Sequence, residues 1–391
     1  MAAQALDALL QQARPEIRAM HPYEPGKPVE TLERELGIRE AIKLASNENP
    51  RGPGASVREA LARAASDLSR YPDGSAHTFR EKLAAQQGLH PDQILLGNGS
   101  NDVLELIARV FLAPGTKGVI DQYAFVVYPL AITGAGGTVC AVPSKDYGHD
   151  LPAMAAAVDD ATRLLFIANP NNPTGTVASL AEIESLLEAV PSNVLVVVDE
   201  AYCEYQHASP AGTALSLLPR YPNLVVTRTF SKIYGLAALR LGYAVAAPEI
   251  VSLLNRLRQP FNVNSLAMAG GLAALDDHHY VEESRRLNAE GLQALEGAMA
   301  ERAIPFIPSA GNFLTIEVGA AKAYYDALLQ EGVIVRPVAG YGLTQHLRVS
   351  VGLPEEMARF LVSFDRVRAQ LRRPPESFMP SPCRKPSALR M

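Results

Sequence analysis

Asn193–Tyr202 reads NVLVVVDEAY, an unbroken run of apolar, mostly branched residues from Val194 to Val198 that ends in the acidic pair Asp199–Glu200. Such a run is apolar on both faces of a pleated strand, which fits a parallel sheet covered by helices on either side. A carboxylate at the C-terminal end of that strand faces the crevice where open α/β sheets bind ligands. Runs of the same kind recur on both sides of it: ILLGN (94–98), KGVID (117–121), TVCAV (138–142), RLLFIAN (163–169), NLVVTRTFSK (223–232) and LGYAVAA (241–247). Between them lie amphipathic helical stretches such as SNDVLELIARVFL (100–112) and SLAEIESLLEAV (179–190), the latter opening on a Ser179/Glu182 capping box. This alternation predicts an α/β unit over residues 47–253, with a mostly parallel sheet flanked by helices.

After Pro248 the pattern becomes helical to about Arg302, then gives short strands in NFLTIEV (312–318), VIVRPV (333–338) and HLRVSVG (346–352), and a last helix from Pro354. Residues 254–373 therefore read as a smaller α+β unit, which the N-terminal residues 1–46 are expected to join. Within those, Leu6, Leu9, Leu10, Ala13 and Ile17 recur at helical spacing, and Pro22, Pro25 and Pro28 enforce an extended arm. Residues 374–391 hold Pro374, Pro375, Pro380, Pro382 and Pro386 and read as a disordered tail. Gln122 to Ser144 carries no charge, but Pro129, Gly134, Gly136, Gly137 and Pro143 break it, so it reads as strand, helix and strand and not as a membrane span.

Composition narrows the function classes. The 36 basic and 41 acidic residues leave a formal charge of −5 without long like-charge blocks, which disfavours nucleic-acid and membrane partners. Three cysteines, Cys140, Cys203 and Cys383, suit neither a disulfide framework nor a zinc spacing, and the N-terminus lacks a signal-peptide pattern, so a reduced cytoplasmic setting is expected. His278–His279 and the pairs Asp159–Asp160 and Arg285–Arg286 read as solvated helix starts or faces, and no metal site is expected.

Four features could carry chemistry. They are the Asp199–Tyr202 strand end, the Ser231–Lys232 strand end, Arg240 ahead of the next strand, and the turn Asn169-Pro-Asn-Asn-Pro-Thr-Gly175. Each alone has an ordinary explanation, as loop opener, solvated lysine, ion-pair former or conformational turn. In this order and spacing they resemble the fold-type I pyridoxal-phosphate (PLP) aminotransferases. The likeness covers nearly the whole chain up to Arg373, and KLASNENP, RYPDG (70–74), GNGSND, TFSKIYGLAALRLGY, VIVRPV and HLRVSVG point to the histidinol-phosphate aminotransferase branch.

The resemblance implies a role for each matching position. Lys232 would carry the cofactor and move the proton, Asp199 would hold the pyridine nitrogen protonated, and Tyr202 and Asn172 would bond the cofactor's phenolic oxygen. Ser100 and Asn101, at a strand-to-helix turn opened by Gly97 and Gly99, would form the phosphate cup with Ser231 and Arg240. Phe125 would stack on the pyridine where the family often has tyrosine, with Tyr123 as the alternative register. Tyr71 would reach the cofactor of a neighbouring subunit, which implies a homodimer with shared active sites. Arg348 and Arg336 would bind the substrate anion, and Tyr23 and Asn47 would line its pocket. Arg51 departs from the small apolar residue common after NENP and bears on substrate choice. The implied reaction is transamination of L-histidinol phosphate with 2-oxoglutarate, giving imidazole acetol phosphate and L-glutamate. An aromatic amino acid aminotransferase, a PLP decarboxylase of a phosphorylated amino acid and a non-catalytic PLP-binding regulator remain as other readings.

Overall fold

The structure, a computed structural model, describes residues 2–23, 25–206 and 212–372. Its strands, in chain order, are β1 (Ile42–Lys43), β2 (Ile94–Asn98), β3 (Lys117–Asp121), β4 (Thr138–Val142), β5 (Thr162–Ala168), β6 (Leu195–Asp199), β7 (Leu224–Thr229), β8 (Leu241–Val245), β9 (Phe306–Ile307), β10 (Phe313–Glu317), β11 (Val333–Ile334), β12 (Arg336–Pro337) and β13 (His346–Ser350).

Among the described residues, the apolar runs assemble into a seven-stranded sheet ordered β2-β8-β7-β6-β5-β3-β4. All pairings are parallel except those of β8, which runs antiparallel to β2 and β7. The central strand is β6, every residue of which is buried. Alternate side chains of β6 feed two cores, Val196 and Val198 on one face and Leu195 and Val197 on the other. Ser179 accepts a bond from the Glu182 amide and Glu182 reaches back to the Ser179 amide, so the capping box starts the helix Leu180–Ala189 as the sequence predicts.

A second, four-stranded antiparallel sheet, β12-β13-β10-β9, packs around Leu314, Leu347, Val349, Phe360 and Phe364. The chain ends meet there: β1 pairs in parallel with β11, and the Ser350 amide donates to the Leu44 carbonyl.

Several expectations need correction. The uncharged stretch 122–144 starts in the loop after β3 and holds only the helix Val127–Ala135 and strand β4. As an edge strand, β4 is partly exposed and not buried on both faces. The N-terminal helical run is two helices, Ala2–Leu10 and Pro15–Ala19, with Pro15 at the first position of the second. Arg285 is no solvated residue, because its Nε donates to the Glu204 carbonyl. The predicted disordered tail, 374–391, lies outside the described residues.

Beside Asp199 the sheet buries an ion pair. Arg228 on β7 donates through Nε and Nη2 to Glu200 Oε2 at 3.0 and 2.7 Å, and the Ala214 amide donates to Oε1 at 2.7 Å. Removing the cation alone strands a buried carboxylate. Arg228→Met is therefore expected to cost about 3–5 kcal/mol, seen as a lowered urea midpoint, and adding Glu200→Gln should recover part of that loss. An unchanged midpoint in the single variant would show that the pair does not stabilise the sheet.

Candidate active site

Parallel strands end on one edge of the sheet, and the loops leaving β5, β6 and β7 meet there around a cavity of about 260 Å³. Asp199 closes β6 and is buried. Its Oδ2 accepts the Tyr128 hydroxyl at 2.9 Å, while Oδ1 has no partner. Burial raises the Asp199 carboxyl to about 6, a rise that the Tyr128 hydrogen bond opposes. Tyr128 is itself fixed, its ring stacked on Phe166 with centroids 4.9 Å apart.

Lys232 follows β7 and turns its Nζ into the cavity, 3.4 Å from the Ser46 carbonyl. Burial, reinforced by the charge of Arg348, lowers its amine from 10.5 to about 8. Tyr202, just past β6, lies with its ring centroid 5.5 Å from that nitrogen, and its hydroxyl accepts from Asn47 Nδ2 at 2.9 Å and Asn172 Nδ2 at 3.2 Å.

At one end of the cavity the helix Ser100–Phe111 begins, presenting Ser100 and Asn101 beside Ser231 and Arg240. Two glycines make this cup possible. A Cβ on Gly99, whose φ is +81°, would stand 2.5 Å from Arg240 Nη2, and one on Gly242 would stand 2.3 Å from the Ser100 amide nitrogen. Helix-start amides and a guanidinium together suit a phosphate dianion.

At the other end Arg348, on β13, donates to Asn172 Oδ1 and to the Ala45 carbonyl at 2.8 Å, with its carbon 5.3 Å from the Phe313 ring centroid. No carboxylate among the described residues pairs with this buried cation, and its Nε has no partner. Arg336 lies nearer the rim over the Tyr23 ring, at 5.4 Å, and both residues line the cavity. Phe125 lines it too, edge-on to Tyr128, whereas Tyr123 stacks on Tyr147, so the geometry favours Phe125 of the two candidates.

Thirteen of the fourteen residues singled out from sequence thus share one cavity: Tyr23, Asn47, Ser100, Asn101, Phe125, Asn172, Asp199, Tyr202, Ser231, Lys232, Arg240, Arg336 and Arg348. Tyr71 does not line it; that residue is 82% exposed and stacked on Phe261. Arg51 turns away, donating to Tyr280, Ser284 and Glu283, so its position after NENP does not place it among the cavity residues. Sequence reasoning gave no role to Tyr128, Ser350 or Asn312. Ser350 Oγ accepts the Asn47 amide, and Asn312 Nδ2 donates to the Asn47 carbonyl. No local pattern marks Tyr128, whose hydroxyl meets a carboxylate 71 positions along the chain.

The family profile of Aminotransferase class I and II matches residues 39–364. The chain belongs to the class I and II aminotransferases. It is 51% identical over 361 residues to histidinol-phosphate aminotransferase 2 of Pseudomonas fluorescens, covering 92% of this chain and 98% of that one. Against histidinol-phosphate aminotransferase 1 of Thiobacillus denitrificans the identity is 52% over 359 residues, covering 91% and 94%. Among solved structures, histidinol-phosphate aminotransferase from Sinorhizobium meliloti in complex with pyridoxal-5′-phosphate gives a TM-score of 0.86 at 30% identity, covering 92% of this aminotransferase and 98% of that chain. The fold-type I architecture expected from sequence is the one present.

The lowered Lys232 amine gives a pH prediction. Only the neutral amine attacks a carbonyl carbon, and its fraction grows as pH rises through the amine's own value. Imine formation at Lys232 with a water-soluble aromatic aldehyde, followed by reductive trapping and peptide mass analysis, is expected to rise with a midpoint near pH 8. A midpoint near 10.5 would mean that the cavity leaves this amine unperturbed.

Proposed function

We propose that this aminotransferase moves the amino group of L-histidinol phosphate to 2-oxoglutarate, yielding imidazole acetol phosphate and L-glutamate, with pyridoxal 5′-phosphate held in the Lys232 cavity. The observation that carries the chemistry is the bare, buried Asp199 Oδ1 in the same cavity as a lysine of depressed basicity. The substrate assignment rests on the likeness, at about half identity, to histidinol-phosphate aminotransferases along nearly the full length of both chains.

The residues fit the cofactor. When bound, pyridoxal phosphate supplies an electron sink for the bond broken at the substrate's amine-bearing carbon. Asp199 Oδ1, free of partners, would accept the ring N–H and keep it protonated, with Tyr128 holding the other oxygen. The amides at the start of helix 100–111, Ser100, Asn101, Ser231 and Arg240 take the phosphate, and Phe125 covers one ring face. Lys232 Nζ would anchor the cofactor and, as the free amine, would take up and return the proton of the reacting carbon. Tyr202 and Asn172 orient the phenolic oxygen. Arg348, with Arg336 at the rim, takes the substrate anion, and Tyr23 and Asn47 shape the space beside it.

The exposed Tyr71 completes the reading. It serves the pocket of a second copy, which makes the active unit a homodimer with shared sites in a cytoplasmic setting. The division into a cofactor-holding unit at 47–253 and a smaller unit from 1–46 and 254–373 belongs to the same proposal, and the separation of the two main sheets supports it.

Two experiments test these claims. With the cofactor-loaded protein and no acceptor, L-histidinol phosphate should convert the visible cofactor band to the amine form at low concentration, with L-phenylalanine much poorer and Lys232→Ala inert. Preference for phenylalanine would move the substrate assignment to aromatic amino acids. Mixing Tyr71→Phe with Lys232→Ala chains should restore activity in the hybrids above either parent. Absence of restoration, with subunit exchange demonstrated, would overturn the shared site.

A further inference from the structure

Tyr71 is exposed, yet its ring is not left to solvent alone. It lies flat on Phe261, centroids 4.7 Å apart and planes 18° apart. Phe261 is itself 44% exposed, and its φ is +54°, in the left-handed region that costs energy for a residue with a bulky side chain. Asparagine or glycine would hold that backbone more cheaply.

The surrounding chain fixes both rings. Arg258 donates through Nη2 to the Gly74 carbonyl at 3.0 Å and through Nη1 to Asn262 Oδ1 at 2.8 Å, clamping the Tyr71 segment to the Phe261 segment. A Cβ at Gly74 would lie 3.2 Å from the Phe261 ring, so the two backbones approach closely. Asn262 Nδ2 in turn donates to the Leu96 carbonyl at 3.2 Å and to Asp102 Oδ2 at 2.8 Å. Asp102 sits in the first turn of the helix whose Ser100 and Asn101 line this chain's own cavity. A strained backbone, an aromatic stack and a two-donor arginine clamp therefore converge on one exposed tyrosine.

We propose that Phe261 is a positioning residue that sets the ring of Tyr71 in advance for the pocket of the neighbouring copy. This rests on the reading that Tyr71 acts across a dimer. Stacking removes rotational freedom from the Tyr71 side chain before the partner is engaged, so the phenol arrives oriented. The strain at residue 261 is what keeps the Phe261 ring under Tyr71. Because the clamp is anchored through Asp102, the tyrosine a chain lends out is held by the same helix that opens its own phosphate cup.

The test uses Phe261→Asn, which suits the left-handed backbone but removes the ring, and Phe261→Tyr, which keeps a ring. Phe261→Asn is expected to melt no lower than the unchanged protein while kcat falls about three- to tenfold, and Phe261→Tyr is expected to retain most activity. Hybrids with one Lys232→Ala chain have a single working pocket, which assigns the effect to a chain. Phe261→Asn placed on the Lys232→Ala chain should lower hybrid activity, and placed on the Lys232 chain should spare it. Tyr71→Phe in the same two placements is the control. If Tyr71→Phe does not act from the Lys232→Ala chain, the shared-site reading falls and takes this inference with it. If Tyr71→Phe does so and Phe261→Asn does not, or acts equally from either chain, Phe261 does not position Tyr71.

Discussion

A carboxylate buried at the end of the central strand with only one of its oxygens satisfied is the constraint around which the other parts are arranged. Burying a charge without full pairing is costly, and here that cost appears as the rise of Asp199 to about 6. The sheet can hold such a group because β6 is locked on both sides, β5 in register at Ala168–Asp199 and β7 at Asp199–Thr227. Tyr128, pinned by its stack on Phe166, fixes the direction of the carboxylate from below. With that edge of the sheet set, parallel geometry delivers Asn172 from the loop after β5, Tyr202 from the loop after β6 and Lys232 from the loop after β7 to the same space.

A second set of bonds ties the chain ends to that space. Asn47 has a φ of +53°, its amide donates to Ser350 Oγ, its side chain reaches Tyr202, and its carbonyl accepts from Asn312. Ser350 and Arg348 are two residues apart on β13 and so share a face of that strand. Displacement of the four-stranded sheet relative to the large one therefore strains the bond from Asn47 to Tyr202, together with the direct bonds from Arg348 to Asn172 and from Thr315 to the Pro173 carbonyl. These directional bonds hold Arg348 against Asn172 and the Ala45 carbonyl in a way that apolar packing alone does not.

Much of this was legible in the chain because it is local. Continuous apolar runs located the strands of the large sheet, since a strand buried on both faces is apolar at most positions. The chemistry-bearing residues stand at run ends or in turns whose composition marks them. What escaped notice depends on direction and distance. The Tyr128 hydroxyl meets a carboxylate far along the chain, and nothing in its own helix turn announces this. Arg51 follows cavity residues closely in sequence, yet a reversal of the chain sends it onto Tyr280 and Glu283. β4 reads as buried on both faces because a run with four apolar residues in five looks the same in an edge strand as in a central one. The strain at Phe261 has no sequence signature, because phenylalanine is the wrong residue for that backbone and is present for its ring.

The charge inside the cavity bears on what can enter it. Arg348 is buried and cationic, and it donates to an amide oxygen and a backbone carbonyl, neither of which neutralises it. An arginine left so, beside a lysine whose basicity it helps to depress, lowers the stability of the empty protein. An anion relieves that destabilisation, and the guanidinium fork matches the geometry of a phosphate ester and of a carboxylate alike. Transamination needs one cavity to receive two different molecules in turn. On the proposed reading, a fixed arginine that no carboxylate neutralises offers one anion site to both substrates in turn, with Arg336 at the rim and Tyr23 and Tyr341 lining the same cavity.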